Sequence, residues 1–244
     1  MAERASARSA LSVVDDEVPR RLRAERERRG ISLRELARRL DISPSAISQI
    51  ETGRARPSVA TLWAIVTELG MSLDDLFAHE TAEPARGGTA PRAATSGGAD
   101  GPGGGPAGGD DHSPALPVVT EATREALQLA TGVRWERMTA DADPDVDFIW
   151  VVYDVGGSSS PDDGFIRHAG REYGLVVSGR LEVTVGFEST VLGPGDSISF
   201  DSTTPHRLRN AGDEPVTGVW VVVGRRADPR ADGASPDGSG RPAG

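Results

Sequence analysis

Two spacings of apolar residues divide the chain. Between residues 17 and 79 they recur every three or four positions, with short polar stops between the runs. Between 116 and 225 they fall in short blocks, and Leu181, Val183 and Val185 alternate with Glu182 and Thr184. The first spacing is that of helices and the second that of strands. "VPRRLRAERERRG" predicts a helix that Gly30 stops. In "SLRELARRL", Ser32 and Glu35 have the spacing of a capping box, and Leu33, Leu36, Ala37 and Leu40 share one face. After the turn "DIS", Ser43 caps a third helix with Pro44 at its first position. Its Ala46, Ile47 and Ile50 should point inward, leaving Ser45, Ser48 and Gln49 outside. Gly53 ends it. Ser58 caps a fourth helix with the stripe Val59, Leu62, Ile65, Val66 and Leu69, and "SLDDLF" closes the set.

In the second region "DFIWVVYDV", "EYGLVVSGRLEVTVG", "STVLGPGDSISF" and "PVTGVWVVVG" read as strands, with turns at "SGR" and "GPGD". Trp150, Tyr153, Phe200 and Trp220 are expected chiefly in the core, with lining of a ligand as the alternative. The architecture predicted is an all-α five-helix domain at 17–79 followed by an all-β jelly-roll barrel at 116–225. Residues 80–115 are Gly/Pro/Ala-rich and read as a flexible linker, and 1–16 and 226–244 as disordered tails. A random coil of about 36 residues spans roughly 30–36 Å. Such a tether is expected to leave the two domains mechanically independent.

The chain has no cysteine, which excludes disulfides and thiolate metal sites. Its apolar runs are too short to cross a bilayer and its N-terminus lacks the apolar core of a signal peptide, so the expectation is a cytoplasmic protein with no membrane partner. A net charge of −10 argues against nucleic acid as a partner. The distribution reverses that argument locally: residues 20 to 56 hold eleven arginines against five acids, a balance of +6.

Two short helices joined by a tight turn inside a helical bundle form a helix-turn-helix. The stretch "SLRELARRLDISPSAISQIETGRARPS", followed by "TLWAIVTELGMSLDDLF", resembles the XRE/Cro-type helix-turn-helix family over the whole of 17–79. The resemblance implies binding to double-stranded operator DNA, with the helix that starts at Ser43 in the major groove. Ser45 and Gln49 match base-reading positions, and Ser43 and Ser48 positions that touch backbone or bases. Gln can pair two-pronged with adenine. Arg34, Arg38, Arg54 and Arg56 are placed to meet phosphate.

"IRHAGREYGLVVSG" and "GPGDSISFDSTTPHRLRN" resemble the two motifs of the cupin family, over most of 148–223. His168, Glu172, Gly179, Pro194, Gly195, His206 and Asn210 fall in place, but the first histidine of the motif is Ile166. Positions 166, 168 and 172 have one parity, so in extended chain they face one interior, and Gly174 leaves room there. Ile166, His168, Glu172 and His206 are the candidate pocket. His168, Glu172 and His206 keep the composition of a two-His-one-carboxylate site, suited to Fe(II) or another divalent ion. Without metal they would form an apo pocket for an organic effector. No cofactor is required by the sequence itself.

The combination resembles regulators that join an XRE-type domain to a cupin sensor. It implies a homodimeric transcription factor, a repressor rather than an enzyme, that senses a small molecule and contacts half-sites about 34–36 Å apart. The alternative is a resemblance to epoxidases of the same domain order, which use a His/Glu/His iron site.

Overall fold

The computed structural model describes residues 17–77, 116–143, 145–161 and 164–224. The expected linker and both expected tails lie outside the described residues. Among these, no helix is long and apolar enough to cross a membrane.

The N-terminal domain is built of short, individually capped helices. Helix α1 runs over 17–28. It ends in a turn at Gly30 (φ 67°), where the Ile31 amide donates to the Arg26 carbonyl and the Gly30 amide to that of Glu27. Only glycine adopts that backbone without strain. Helices α2 (Leu33–Arg39), α3 (Pro44–Glu51) and α4 (Val59–Glu68) carry Ser32, Ser43 and Ser58 as N-caps, each accepting from the amide three residues on. Helix α5 (Asp74–Phe77) follows.

One expected cap is only half formed. The Glu35 amide donates to Ser32, but the Glu35 carboxylate accepts from Arg38 and Arg39 instead of returning to the cap. Two guanidinium groups compete better for a carboxylate than one amide does, and they lower its pKa to about 2. A reciprocal pair occurs instead before α5: the Ser72 amide donates to Asp75, and the Asp75 amide to the Ser72 hydroxyl.

The C-terminal domain has a six-stranded sheet, in the order β1 (Ala126–Leu129), β2 (Val133–Arg137), β3 (Val146–Tyr153), β9 (Val216–Val223), β4 (Arg171–Ser178), β7 (Ser197–Asp201). A three-stranded sheet has the order β6 (Glu188–Leu192), β5 (Leu181–Val185), β8 (His206–Asn210). Neighbouring strands in both sheets run antiparallel. The backbones of Ile166 and His206 exchange two hydrogen bonds, at 2.8 and 2.9 Å, fixing the segment before β4 to β8. Strands β1, β2 and β8 had no counterpart in the runs read from the sequence: β1 is only four residues long, and the apolar content of β2 and β8 is too low to stand out.

Trp150 departs from its expected place. In β3 the inward residues are Ile149 and Val151, so Trp150 lies on the outer face under the Arg124 guanidinium. Tyr153, Phe200 and Trp220 are buried as expected.

The two domains are not independent. Their buried residues form one continuous hydrophobic cluster. The Ala60 amide of α4 donates to the Ser159 carbonyl (2.9 Å), and the Ala130 amide donates to the Pro57 carbonyl (2.8 Å). This overturns the expectation drawn from the tether. Linker composition limits what the linker can enforce, but the faces of the folded domains carry their own complementarity.

Candidate functional site

The exposed face of α3 is one candidate surface. Ser43, Ser45 and Gln49 are exposed and Ser48 is half-buried, while Ile47 and Ile50 anchor the opposite face. The Ser43 hydroxyl accepts from the Ala46 amide (3.1 Å), so it serves the helix as cap whatever else it touches. Arg34, Arg38, Arg54 and Arg56 are all exposed. Arg38 forks onto Glu35 at 2.9 and 2.8 Å, so engaging another anion would require exchange of partner. Arg34 and Arg54 make no ion pair among the described residues. The arginines of α1 are spent internally: Arg21 on Glu17, Arg23 on Glu27, and Arg28 and Arg29 on Glu25.

The second site lies inside the C-terminal domain. Ile166, His168, Glu172 and His206 are all buried and converge, the first three on the face the parity argument gave them and His206 where the motif resemblance implied it. His168 Nε2 lies 2.8 Å and His206 Nε2 3.0 Å from Glu172 Oε1. On the far side of each ring, Nδ1 faces a backbone carbonyl: Ala169 at 3.1 Å for His168 and Thr204 at 2.9 Å for His206. A carbonyl only accepts, so each Nδ1 is the N–H donor. In the neutral rings both Nε2 atoms therefore present lone pairs to the carboxylate. Glu172 Oε1 and His206 Nε2 accordingly have no hydrogen-bond partner, although both are buried.

Lone pairs at such separations repel unless a proton or a metal ion lies among them. The spacings of 2.8 and 3.0 Å match the ~3 Å edge between neighbouring ligands of an ion held at about 2.1 Å. Nδ1–H donated to a carbonyl is also the usual outer support of a metal-binding histidine. The residues present fit a divalent cation, with two imidazoles and one carboxylate as ligands. Burial by itself would raise the Glu172 carboxyl. With a proton on Nε2, His168 and His206 would instead donate to it, and those bonds and charges outweigh burial and hold the group ionised, well below the usual carboxylate range.

Trp220, read from the sequence as core or ligand lining, completes the support, though its bond to Glu172 had no local signal. Its Nε1–H donates to Glu172 Oε2 at 2.7 Å. Gly174 pairs with Trp220 across β4 and β9, and a Cβ at 174 would come within 2.2 Å of the indole. The room expected at Gly174 exists, and the Trp220 ring occupies it. Tyr153, buried beside the Glu172 charge, has its hydroxyl pKa pushed far up, burial being the larger cause. Arg167 and Arg171 stay exposed, outside the triad.

The roof comes from the other domain. Trp63 of α4 stacks on the His168 ring with centroids 4.1 Å apart and planes at 15°, and meets Trp135 edge-on at 6.0 Å. What remains is a cavity of about 20 Å³, walled by Val59 and Trp63 from α4 and by Ile166, Glu172 and Trp220 among others. The apolar stripe predicted on α4 omitted Trp63, since that position does not face its own helical bundle.

Comparison with known proteins matches the two halves separately. A helix-turn-helix family matches residues 22–76 and the cupin domain family residues 149–222. The chain is 26% identical over 195 residues to the HTH-type transcriptional regulator SutR of Escherichia coli K12, covering 80% of this chain and 88% of that protein. It is 22% identical to the HTH-type transcriptional regulator PuuR of the same strain, covering 78% and 86%. An HTH_3 family transcriptional regulator from Vibrio cholerae superposes with a TM-score of 0.56 at 19% identity, covering 88% of this chain and 98% of that one. Fold and site thus define a two-domain protein, an XRE-type helix-turn-helix joined to a cupin. Along most of its length the chain is similar to helix-turn-helix transcriptional regulators.

Proposed function

We propose that this DNA-binding regulator is a homodimeric repressor that reads operator DNA with α3 and senses a divalent cation, or a small molecule bound with it, at His168, Glu172 and His206. The observation that carries the sensing part is the pair of buried Nε2 atoms aimed at one carboxylate oxygen, an arrangement that a bound cation would satisfy. When bound, the ion would supply open coordination positions for a ligand, and Fe(II) suits such a donor set. The chain's own residues orient the site: Trp220 fixes the carboxylate, and Ala169 and Thr204 fix the rings. The same three ligands are the observation that favours an oxidative enzyme as the second reading. The space beside the ligands, about 20 Å³, is room for roughly one water, which leaves neither an organic substrate nor an organic effector a place in this closed form.

On the DNA side, Ser45 and Gln49 read bases, Ser43 and Ser48 touch backbone or bases, and Arg34, Arg38, Arg54 and Arg56 contact phosphate. The five-helix head and a closed jelly-roll barrel complete the architecture. Gln49→Ala should weaken binding to the operator by ~1–3 kcal/mol while leaving nonspecific DNA binding alone, as for a lost two-pronged contact to adenine. Binding-site selection from random duplexes, followed by titration of both proteins, measures this. An unchanged preferred sequence would refute the base-reading assignment.

The dimer face we assign is the outside of the six-stranded sheet. Tyr173, Leu175 and Val177 of β4 are exposed there at 44%, 41% and 44%. Tyr173 pairs with Val221 and Leu175 with Val219, and both valines also pair with β3 at Phe148 and Trp150. Contiguous apolar residues of this kind mark association surfaces, and a second copy satisfies the two-fold symmetry that paired half-sites demand. Leu175→Glu should convert the dimer to monomer in sedimentation velocity. If it sediments as the parent does, the interface lies elsewhere.

A further inference from the structure

The helix that follows the DNA-reading helix is also the roof of the cupin site. Helix α4 presents Val59, Ala60 and Trp63, at spacings that share one face, to the C-terminal domain. Trp63 is 3% exposed although it lies off the stripe that faces its own bundle. Its indole covers His168 in a stacked contact, and backbone bonds from Ala60 to Ser159 and from Ala130 to Pro57 fasten the helical domain on either side. The space left beneath the indole is about 20 Å³, room for roughly a water or a bare ion. Ser43, Ser45 and Gln49 remain exposed in this docked arrangement, so the reading face of α3 is presented to DNA while the roof is closed.

We infer that the helical domain is the lid of the His168–Glu172–His206 site and Trp63 its stopper, so that an organic ligand and the docked DNA-reading head exclude one another. The ligand enters by lifting Trp63 away from His168. The room so vacated is bounded by the His168 ring, Trp135 and Ile166, and it suits a flat apolar or aromatic body carrying a group that binds the ion. A ligand of that class favours the undocked form, in which the two heads of a dimer lose their fixed separation. Operator affinity then falls through lost preorganisation, with no change in the reading residues themselves. A single contact, Trp63 on His168, makes site occupancy and head position one equilibrium. The coupling to a bound ligand rests on the cation reading above; the docking itself does not.

The test uses the full-length protein with Co²⁺ as the probe and EDTA, far too large for the closed cavity, as the competitor. The chain has no cysteine. Pro57→Cys with Ala130→Cys therefore introduces the sole thiol pair, at two residues already joined by a backbone bond. Oxidation should lock the lid and slow removal of Co²⁺ at least tenfold against the same protein reduced. Trp63→Ala should speed removal at least tenfold, with helical circular dichroism unchanged. Equal rates in the locked and reduced forms would overturn the lid. In parallel, hydrogen exchange at the Ala60 and Ala130 amides should show protection that Trp63→Ala removes. Should no form bind Co²⁺, the cation reading fails, and these two amides decide the lid by themselves. Free exchange in the parent protein refutes docking.

Discussion

Glu51→Ala should destabilise the helical domain by about 3–5 kcal/mol, the range for breaking one side of a buried ion pair. Glu51 takes a two-pronged contact from Arg26, whose Nε and Nη2 donate to its two oxygens at 2.6 and 2.8 Å. The third arm, Nη1, donates to the Ile31 carbonyl at 2.9 Å. One guanidinium thus ties α1, the turn after it and the last turn of α3. Both side chains are within a tenth of full burial. Alanine at 51 would leave the cation buried with one carbonyl for company, since the nearby Glu27 contact is 3.5 Å and half exposed. Urea denaturation followed at 222 nm measures the loss. Glu51→Gln, which keeps an acceptor, should lose clearly less. A loss below ~1 kcal/mol for Glu51→Ala would mean that the pair merely offsets its own desolvation and that Arg26 finds water once released. Operator binding should fall with stability, because the end of α3 that Glu51 fixes lies one turn or less beyond Ser48 and Gln49.

Gly174→Ala should destabilise the C-terminal domain by a comparable amount. The added Cβ would sit 2.2 Å from two carbons of the Trp220 ring and 2.6 Å from a third. Neither central strand can move away, since β4 and β9 are paired along their length. The indole must swing out, and the bond from its Nε1 to Glu172 is then lost. Overpacking costs ~1–3 kcal/mol and a hydrogen bond to a buried charge ~1.5–3, giving roughly 2.5–6 kcal/mol together. Thermal unfolding followed by near-ultraviolet circular dichroism would report it. Trp220→Ala should relieve most of the clash, so the double variant should lose much less than the two single losses combined. If Gly174→Ala unfolds at the parent temperature, the indole is not held where the structure puts it. Should the fold survive with Trp220 displaced, Glu172 would lose its orientation and cation affinity would drop.

Several features of the candidate sites were legible because they are local. A serine cap, a glycine at positive φ and a helical stripe each depend on residues within a turn or two, so Ser32, Ser43, Ser58 and Gly30 could be placed from sequence. The parity of Ile166, His168 and Glu172 was legible for the same reason. Trp150 shows where that legibility stops. "DFIWVVY" is apolar on both faces, and such a run has no alternation to say which face is inside. Capping at Glu35 failed for a related reason, since its acceptor had nearer and better-charged donors in Arg38 and Arg39.

By itself the sequence determined the helix-turn-helix, the strand-rich second half and the convergence of two histidines with a glutamate. Those follow from periodicity, caps and motif spacing, which the chain carries within short windows. Only the tertiary structure decided what Glu51, Trp220 and Trp63 do, because the partner of each lies 25, 48 or 105 residues away, on another helix, another strand or another domain. It also decided that the domains touch. A tether's composition describes the freedom of the unfolded segment, whereas docking depends on the fit of two folded faces, and in this protein that fit centres on one indole laid over one imidazole.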